Sequence, residues 1–399
     1  MKFAHLADCH IGSWRDDKLR RLSSLAFAKA VDLCIKRNVD FVLIAGDLFN
    51  TALPGIDSLR DCVSKLKELK DNNINVYAVP GSHDFSPSGK TMLQVLENAG
   101  LLINVVKGSV ENNKLKLNFF VDEKSGAKIA GMLGKKGMLE KSYYESLDLK
   151  SLEDESGFKI FMLHTALSEF KPAELDRMDG CPLSLLPKGF DYYAAGHVHY
   201  VFNTKEKGYG LIAYPGPLFP NNFRELEKLG HGGFYIYEDG NLEWQPVKVV
   251  NTFCLSVDAD GRTPEIVEQE IIGKVKHNEF NNTVVALRVE GTLASGSNSD
   301  INWKLIFDLL NQKSAYYVMR STIGLHSKEY EEIKVQKNSV EEVEEALILE
   351  NAGKTFDKET EYELIKNLMK SLSIEKREGE RVQDFENRLK EDIDKLLDL

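Results

Sequence analysis

Five times in the first 200 residues a short apolar run ends in a cluster of aspartate, histidine and glycine, and this recurrence constrains the fold more than any other feature of the chain. The runs are residues 3–7, 41–45, 76–80, 160–163 and 192–195. The clusters that follow are Asp8-x-His10, Gly46-Asp47, Gly81-Ser82-His83-Asp84, His164 and Gly196-His197-Val198-His199. Short runs without polar alternation read as strands buried on both faces, the habit of parallel sheets. Between them, residues 19–35 and 59–69 space leucine, valine and cysteine at helical intervals, with lysine and arginine on the other side. Strands alternating with helices give an α/β layered fold. In such folds ligands bind beyond the carboxyl ends of the strands, so the five clusters are placed to converge.

The side chains gathered there are chemically coherent. Asp8, His10, Asp47, His164, His197 and His199 are carboxylates or imidazoles, suited to borderline divalent metals such as manganese, iron or zinc, and His83 is left over as an acid. The frequencies of glycine and histidine in this chain give about 0.015 chance occurrences of G-H-x-H, so the closing cluster is informative. Five of the nine histidines fall at these strand ends. His5 does not: it sits inside the first strand and reads as a packed or hydrogen-bonded core residue. Gly89-Lys90-Thr91 resembles the end of a phosphate-binding loop, but Asp84 stands where that loop needs glycine, so the chain is not expected to bind ATP itself.

A chain of 399 residues is too long for one core. Residues 1–250 form the expected metal-bearing domain. From 251 to 327 the pattern restarts as strand (253–257), helix (264–275), strand (284–289), helix (301–310) and strand (316–319), a small α/β domain with a glycine- and serine-rich flexible tip at 291–299. Residues 328–399 are highly charged. Ser339 and Glu342 make a capping-box pattern before a helix ending near Gly353, and two further amphipathic helices carry Leu364, Ile365, Leu368, Met369 and Leu372, then Phe385, Leu389, Ile393 and Leu396.

Composition narrows the setting. With 42% hydrophobic and 28% charged residues the chain is ordinary globular protein, and no stretch approaches the roughly 20 apolar residues of a membrane span. An acidic residue at position 8 precedes any apolar signal region, so a cytoplasmic location is expected. Cys9, Cys34, Cys62, Cys181 and Cys254 are too scattered for a disulfide frame and read as buried free thiols. A net charge of −11 speaks against a protein that holds nucleic acid mainly by a broad basic surface, yet metals can supply local positive charge at a phosphodiester.

Taken together, D-x-H, G-D, G-S-H-D, H and G-H-x-H resemble the signature of the calcineurin-like metallophosphoesterases. Gly46-Asp47-Leu48-Phe49-Asn50 and Tyr214-Pro215-Gly216-Pro217-Leu218-Phe219 resemble, more narrowly, the archaeal meiotic-recombination-eleven nuclease family, whose bacterial relatives are called SbcD. The resemblance implies a layered α/β sandwich metallophosphoesterase domain, a small α/β DNA-capping domain and C-terminal helices. It implies two divalent metal ions, manganese foremost. Asp8, His10, Asp47 and His199 would hold one, Asp47, Ser82, His164 and His197 the other, with Asp47 bridging. His83 would stabilise the transition state or protonate the leaving oxygen, and Asp84 would set its orientation. The implied activity is that of a DNA endonuclease and 3′-to-5′ exonuclease acting on ends in double-strand-break repair, in a nucleoid-associated setting. The implied partners are a second copy of the chain and an SMC-like coiled-coil ATPase, the latter docked on the C-terminal helices. For the dimer, Leu59, Val63, Leu66, Leu93 and Leu96 offer an apolar surface, though packing on their own sheet accounts for them equally well.

Two positions depart from the family pattern. Ser82 stands where asparagine is usual; its hydroxyl is shorter and a poorer neutral ligand, so the second ion is expected to bind more weakly or to complete its shell with water. Asn50 stands where many relatives have histidine. The rival readings are a phosphatase or phosphodiesterase for a small substrate on the same centre, and a weakened centre in a chain serving as scaffold for its ATPase.

Overall fold

The computed structural model describes residues 1–86, 89–135, 139–172, 175, 178–328, 345, 347–349, 357–374, 376, 380 and 382–397. They fall into two compact units, one of Met1–Ser256, Val275–Arg288 and Lys304–Ser321, the other drawn from Val257–Lys274, Val289–Trp303 and Thr322–Leu399.

The first unit opens with β1 (Lys2–Leu6), α1 (Asp17–Lys36), β2 (Phe41–Ala45), α2 (Ile56–Asp71), β3 (Asn75–Val79), α3 (Met92–Asn98) and β4 (Ile103–Asn104). α1 starts where Asp16 accepts the amides of Lys18 and Leu19, and it buries Leu19, Leu22, Ala26, Ala30 and Cys34 on one face. Thr91, the residue that mimics a phosphate-loop threonine, caps α3 by accepting the Leu93 amide at 2.9 Å. A hairpin, β5 (Gly108–Glu111) and β6 (Lys114–Leu117), leads into β7 (Phe120–Val121) and β8 (Lys128–Gly131). Then come α4 (Lys141–Glu145), α5 (Leu149–Glu153), β9 (Lys159–His164), β10 (Tyr192–Gly196), β11 (Val201–Lys205), β12 (Leu211–Pro215), α6 (Phe223–Leu229), β13 (Gly232–Glu238) and β14 (Asn241–Val247).

These strands build two six-stranded sheets, β14-β13-β1-β2-β3-β4 and β11-β12-β10-β9-β8-β7. Their centres are parallel: β1 to β4 in the first, β8, β9, β10 and β12 in the second. Alternation along each strand sorts side chains into layers. On β1, Ala4 and Leu6 join the helix-side core with α1 and α2, whereas Phe3 joins Phe41, Tyr77, Ile160, Met162 and Tyr192 between the sheets. His5 is also fully buried and shares a 2.9 Å hydrogen bond with the Tyr192 hydroxyl, as a core histidine should. The result is the expected layered α/β sandwich.

Leu66, Leu93 and Leu96 are buried in the helix-side core, with Leu59 and Val63 packed against it, so these residues serve the chain's own sheet. Four thiols are buried as expected, but Cys254 is exposed, because it lies on the outward face of an alternating strand.

Further along come β15 (Asn251–Asp258), α7 (Pro264–Val275), β16 (Thr283–Leu293), α8 (Trp303–Gln312), β17 (Tyr317–Ser321) and β18 (Leu325–Ser327), the strand-helix alternation read from the sequence. In the first unit Val284 to Arg288 pair in parallel with Tyr317 to Ser321; in the second, Gly291 to Leu293 pair with Leu325 to Ser327. The expected flexible tip at 291–299 is therefore part strand and part 3-10 turn, Asn298–Asp300, closed by a capping box from Ser297. Gly291 stands at φ +105°, a backbone geometry that glycine adopts freely. Helices Lys358–Leu372 and Val382–Leu396 carry the two apolar stripes and lie against one another. The pattern at Ser339 and Glu342 and the helix end near Gly353 lie outside the described residues. Among the described residues no helix is long and apolar enough to cross a membrane.

Candidate metal centre

Each cluster follows the carboxyl end of a central strand. The first sheet contributes Asp8 and His10 after β1, Asp47 after β2, and Ser82, His83 and Asp84 after β3; the second contributes His164, the last residue of β9, and His197 and His199 after β10. Past the strand ends the backbone bends sharply. Asp8, His10, Asp47 and His197 have φ of +49°, +41°, +51° and +93°, a region that costs a side-chain-bearing residue about 1–3 kcal/mol and that gathers at functional sites. Two glycines make room: a methyl group on Gly46 would strike the His164 ring, and one on Gly81 would strike the Asp47 carboxylate.

The donors meet across the two sheets. Asp8, His10 and His199 form one group of potential ligands, Asp8, Asp47 and His164 a second, and His10, Asp47 and His83 a third, each with its donor atoms within 4.8 Å of one another. Asp47 Oδ2 lies 3.1 Å from His164 Nε2 and 3.7 Å from His10 Nε2, between ligands of both sheets. His199 Nε2 lies 3.1 Å from His10 Nε2 and 3.6 Å from Asp8 Oδ1. The His197 ring packs edge-on against His164 with centroids 5.2 Å apart, and its amide donates to both Asp8 oxygens. Ser82 Oγ donates to Asp47 Oδ2 at 3.4 Å.

These residues fit divalent cations. His10 Nδ1 and His164 Nε2 are buried without a hydrogen-bond partner; His164 Nε2 is near Asp47, but not aligned as a donor to it. The unmatched His164 Nε2 faces Asp47, and a buried polar atom left this way calls for an explanation, which a cation at that point supplies. His10 turns Nε2, not its unmatched Nδ1, toward His199 and Asp47. The charges agree. Burial works against ionisation of Asp8 and Asp47, yet His199 and His164 outweigh it and hold both carboxyls below their usual range. In turn burial lowers the two imidazoles, but Asp47 lifts His164 to about 9 and Asp8 with Glu225 lifts His199 to about 10. His10 and His197 are pushed down to about 4, by burial first and then by the neighbouring imidazoles. Two buried carboxylates thus demand positive charge, and a set of nitrogen and oxygen donors surrounds them.

His83 gives Nδ1 to the Asn50 carbonyl at 2.9 Å, which leaves Nε2 for the centre, and its ring stands edge-on to His10 at 4.9 Å. The expected control by Asp84 is absent: its carboxylate turns inward to accept the amides of Gly81 at 2.9 Å and Phe49 at 3.3 Å. Asp84 sets the loop rather than the ring, because its buried oxygens are taken by main-chain donors. Burial, then the charge of Asp47, push its carboxyl up.

Sequence reasoning missed Glu225, which accepts from His199 Nδ1 at 2.9 Å. The signal was present: Asn222-Phe-Arg-Glu225 is a helix-start pattern, and Asn222 caps α6. A cavity of about 310 Å³ opens beside these residues, lined by His197, His199 and Glu225, by apolar Leu175 and Met178, and by Arg224.

A twofold layer of parallel strands with aspartate and histidine at their carboxyl ends is the architecture of a metallophosphoesterase. The calcineurin-like phosphoesterase model matches residues 1–201, and the chain belongs to that family. Within it the chain is similar to three archaeal proteins, each described as a DNA double-strand break repair protein Mre11. The one from Archaeoglobus fulgidus is 26% identical over 98% of this chain and 90% of the relative. The one from Saccharolobus solfataricus is 28% identical, over 79% and 81%, and the one from Methanocaldococcus jannaschii 29%, over 71% and 73%.

Proposed function

We propose that the chain is a two-cation phosphodiester hydrolase acting on DNA as an endonuclease and 3′-to-5′ exonuclease in double-strand-break repair. The observation that carries this reading is the convergence of nitrogen and oxygen donors from both sheets on Asp47, with the buried His164 Nε2 left unmatched beside it. The choice of DNA rests on similarity to repair proteins over most of the chain. Asp8, His10, Asp47 and His199 would hold one cation and Asp47, Ser82, His164 and His197 the other; the mixed donor set suits manganese, iron or zinc, and manganese is proposed from the family resemblance. When bound, such a pair acidifies water, orients the phosphodiester and neutralises charge on the attacking and leaving oxygens.

The chain's own residues do the rest. His83, held through Nδ1 by the Asn50 carbonyl, presents Nε2 to the centre and, as the imidazolium with a proton on each nitrogen, passes the Nε2 proton to the leaving oxygen. Ser82, by its hydrogen bond to Asp47, steadies the shared carboxylate. The amide of His197 fixes Asp8. A second copy of the chain and an SMC-like coiled-coil ATPase are the proposed partners, the ATPase on the apolar stripes of Lys358–Leu372 and Val382–Leu396.

The test is release of nucleotides from duplex DNA with manganese, set against turnover of a small phosphomonoester. His83→Ala is expected to lower DNA cleavage by about 10²–10⁴-fold while leaving both ions in place. Turnover confined to the phosphomonoester would favour a phosphatase, and wild-type cleavage no faster than that of His83→Ala would favour a scaffold.

A further inference from the structure

The ring nitrogens that point away from the centre show how His164, His83 and His199 are held. His164 gives Nδ1 to the Ala45 carbonyl at 2.8 Å, and His83 gives Nδ1 to the Asn50 carbonyl at 2.9 Å. Both acceptors are main chain. His199 differs, because its Nδ1 lies 2.9 Å from Oε1 of Glu225, a side chain borne by α6.

Glu225 is itself immobilised. Its Oε2 accepts the Asn221 amide at 2.8 Å, its Oε1 accepts Asn222 Nδ2 at 2.5 Å, and its own amide donates to Asn222 Oδ1 at 3.0 Å. The start of α6 thus locks the carboxylate in one rotamer, facing the ring. Nε2 of that ring then faces Asp8 and His10. A neutral imidazole carries one N–H, and whichever nitrogen donates leaves the other with its lone pair free.

We propose that Glu225 is a positioning residue for the cation held by Asp8, His10, Asp47 and His199. It keeps the proton of neutral His199 on Nδ1 and the lone pair of Nε2 on that cation, an arrangement in which a carboxylate orients a metal-bound imidazole from behind. The assignment rests on the two-cation reading above. It separates the two sites chemically: His164 is oriented by a main-chain carbonyl that no substitution of a side chain removes, whereas His199 depends on a group that one codon can change.

Manganese titration calorimetry on the metal-stripped full chain, with thermal unfolding of the same samples, tests this. The wild type should take up two ions. Glu225→Ala should weaken one of them by about 10–100-fold and leave the other unchanged. Glu225→Gln keeps one oxygen for His199, so its loss should be smaller. Asn222→Ala removes the cap of α6 but not the carboxylate; it should lower the unfolding midpoint and weaken the same ion less than Glu225→Ala does. Wild-type affinities in Glu225→Ala, or equal losses in Glu225→Ala and Asn222→Ala, would overturn the positioning role while the metal centre stands. A wild type that binds fewer than two ions would overturn both.

Discussion

The inter-sheet layer and the crevice lie on the same strands, only a few residues apart, and are built on opposite terms. At the start of β1 and β2, Phe3 and Phe41 stack with centroids 5.0 Å apart, and Tyr77 meets Phe41 edge-on at 5.7 Å. All three are buried in an apolar layer. Just past the ends of those strands, buried carboxylates, ring nitrogens without partners and four side-chain-bearing residues at positive φ are crowded together. One end stabilises the sandwich; the other stores strain and charge. Substitutions should therefore divide cleanly between activity and stability.

The largest effect is expected from Asp47→Ala, which removes the carboxylate shared by two of the donor groups. DNA cleavage should vanish and metal analysis should find both ions weakened, while the metal-free chain stays folded by circular dichroism. Loss of the fold instead would break the contrast. Next is Phe41→Ala, expected to cost about 3–5 kcal/mol in denaturant unfolding, as truncation of a buried aromatic does. Activity per folded molecule should remain, since no donor is touched.

Proton release sharpens the electrostatic side. With pKa values raised to about 9 and about 10, His164 and His199 each hold a proton at pH 7 in the metal-free chain. Manganese uptake must displace those protons, and calorimetry in buffers of different ionisation enthalpy should detect their release, which fades as pH rises past 10. The linkage to stability has the same sign: both values exceed the ordinary 6.5, so the contribution of these two groups to the metal-free fold is complete below pH 6.5 and is lost as pH rises through 9 to 10. The smallest change is expected from Ser82→Asn, whose amide oxygen is a better neutral donor; manganese should bind more tightly at the second site, and identical apparent affinities would remove the idea.

The contrast also explains what was legible. The central strands are buried on both faces, so runs such as Phe41–Ala45 stand out, and the ligands follow them directly. Outer strands are mixed: Val201–Lys205 alternates because one face is open, Gly108–Glu111 is exposed on both faces, and periodicity alone did not separate them from loops. Asp84 was read as an orienter from its place beside His83, but adjacency in sequence does not reveal which way a carboxylate turns. Glu225 escaped because its partner is 26 residues away, and only the docking of α6 beside β10 brings them together.

Donors for each proposed cation come from both sheets: Asp8, His10 and Asp47 from one, His164, His197 and His199 from the other. A pair of ions there would act as a clasp across the open edge of the sandwich, tying layers that elsewhere are joined by side-chain packing. Manganese would then slow amide hydrogen exchange at the ends of β1 and β10 as well as enabling chemistry.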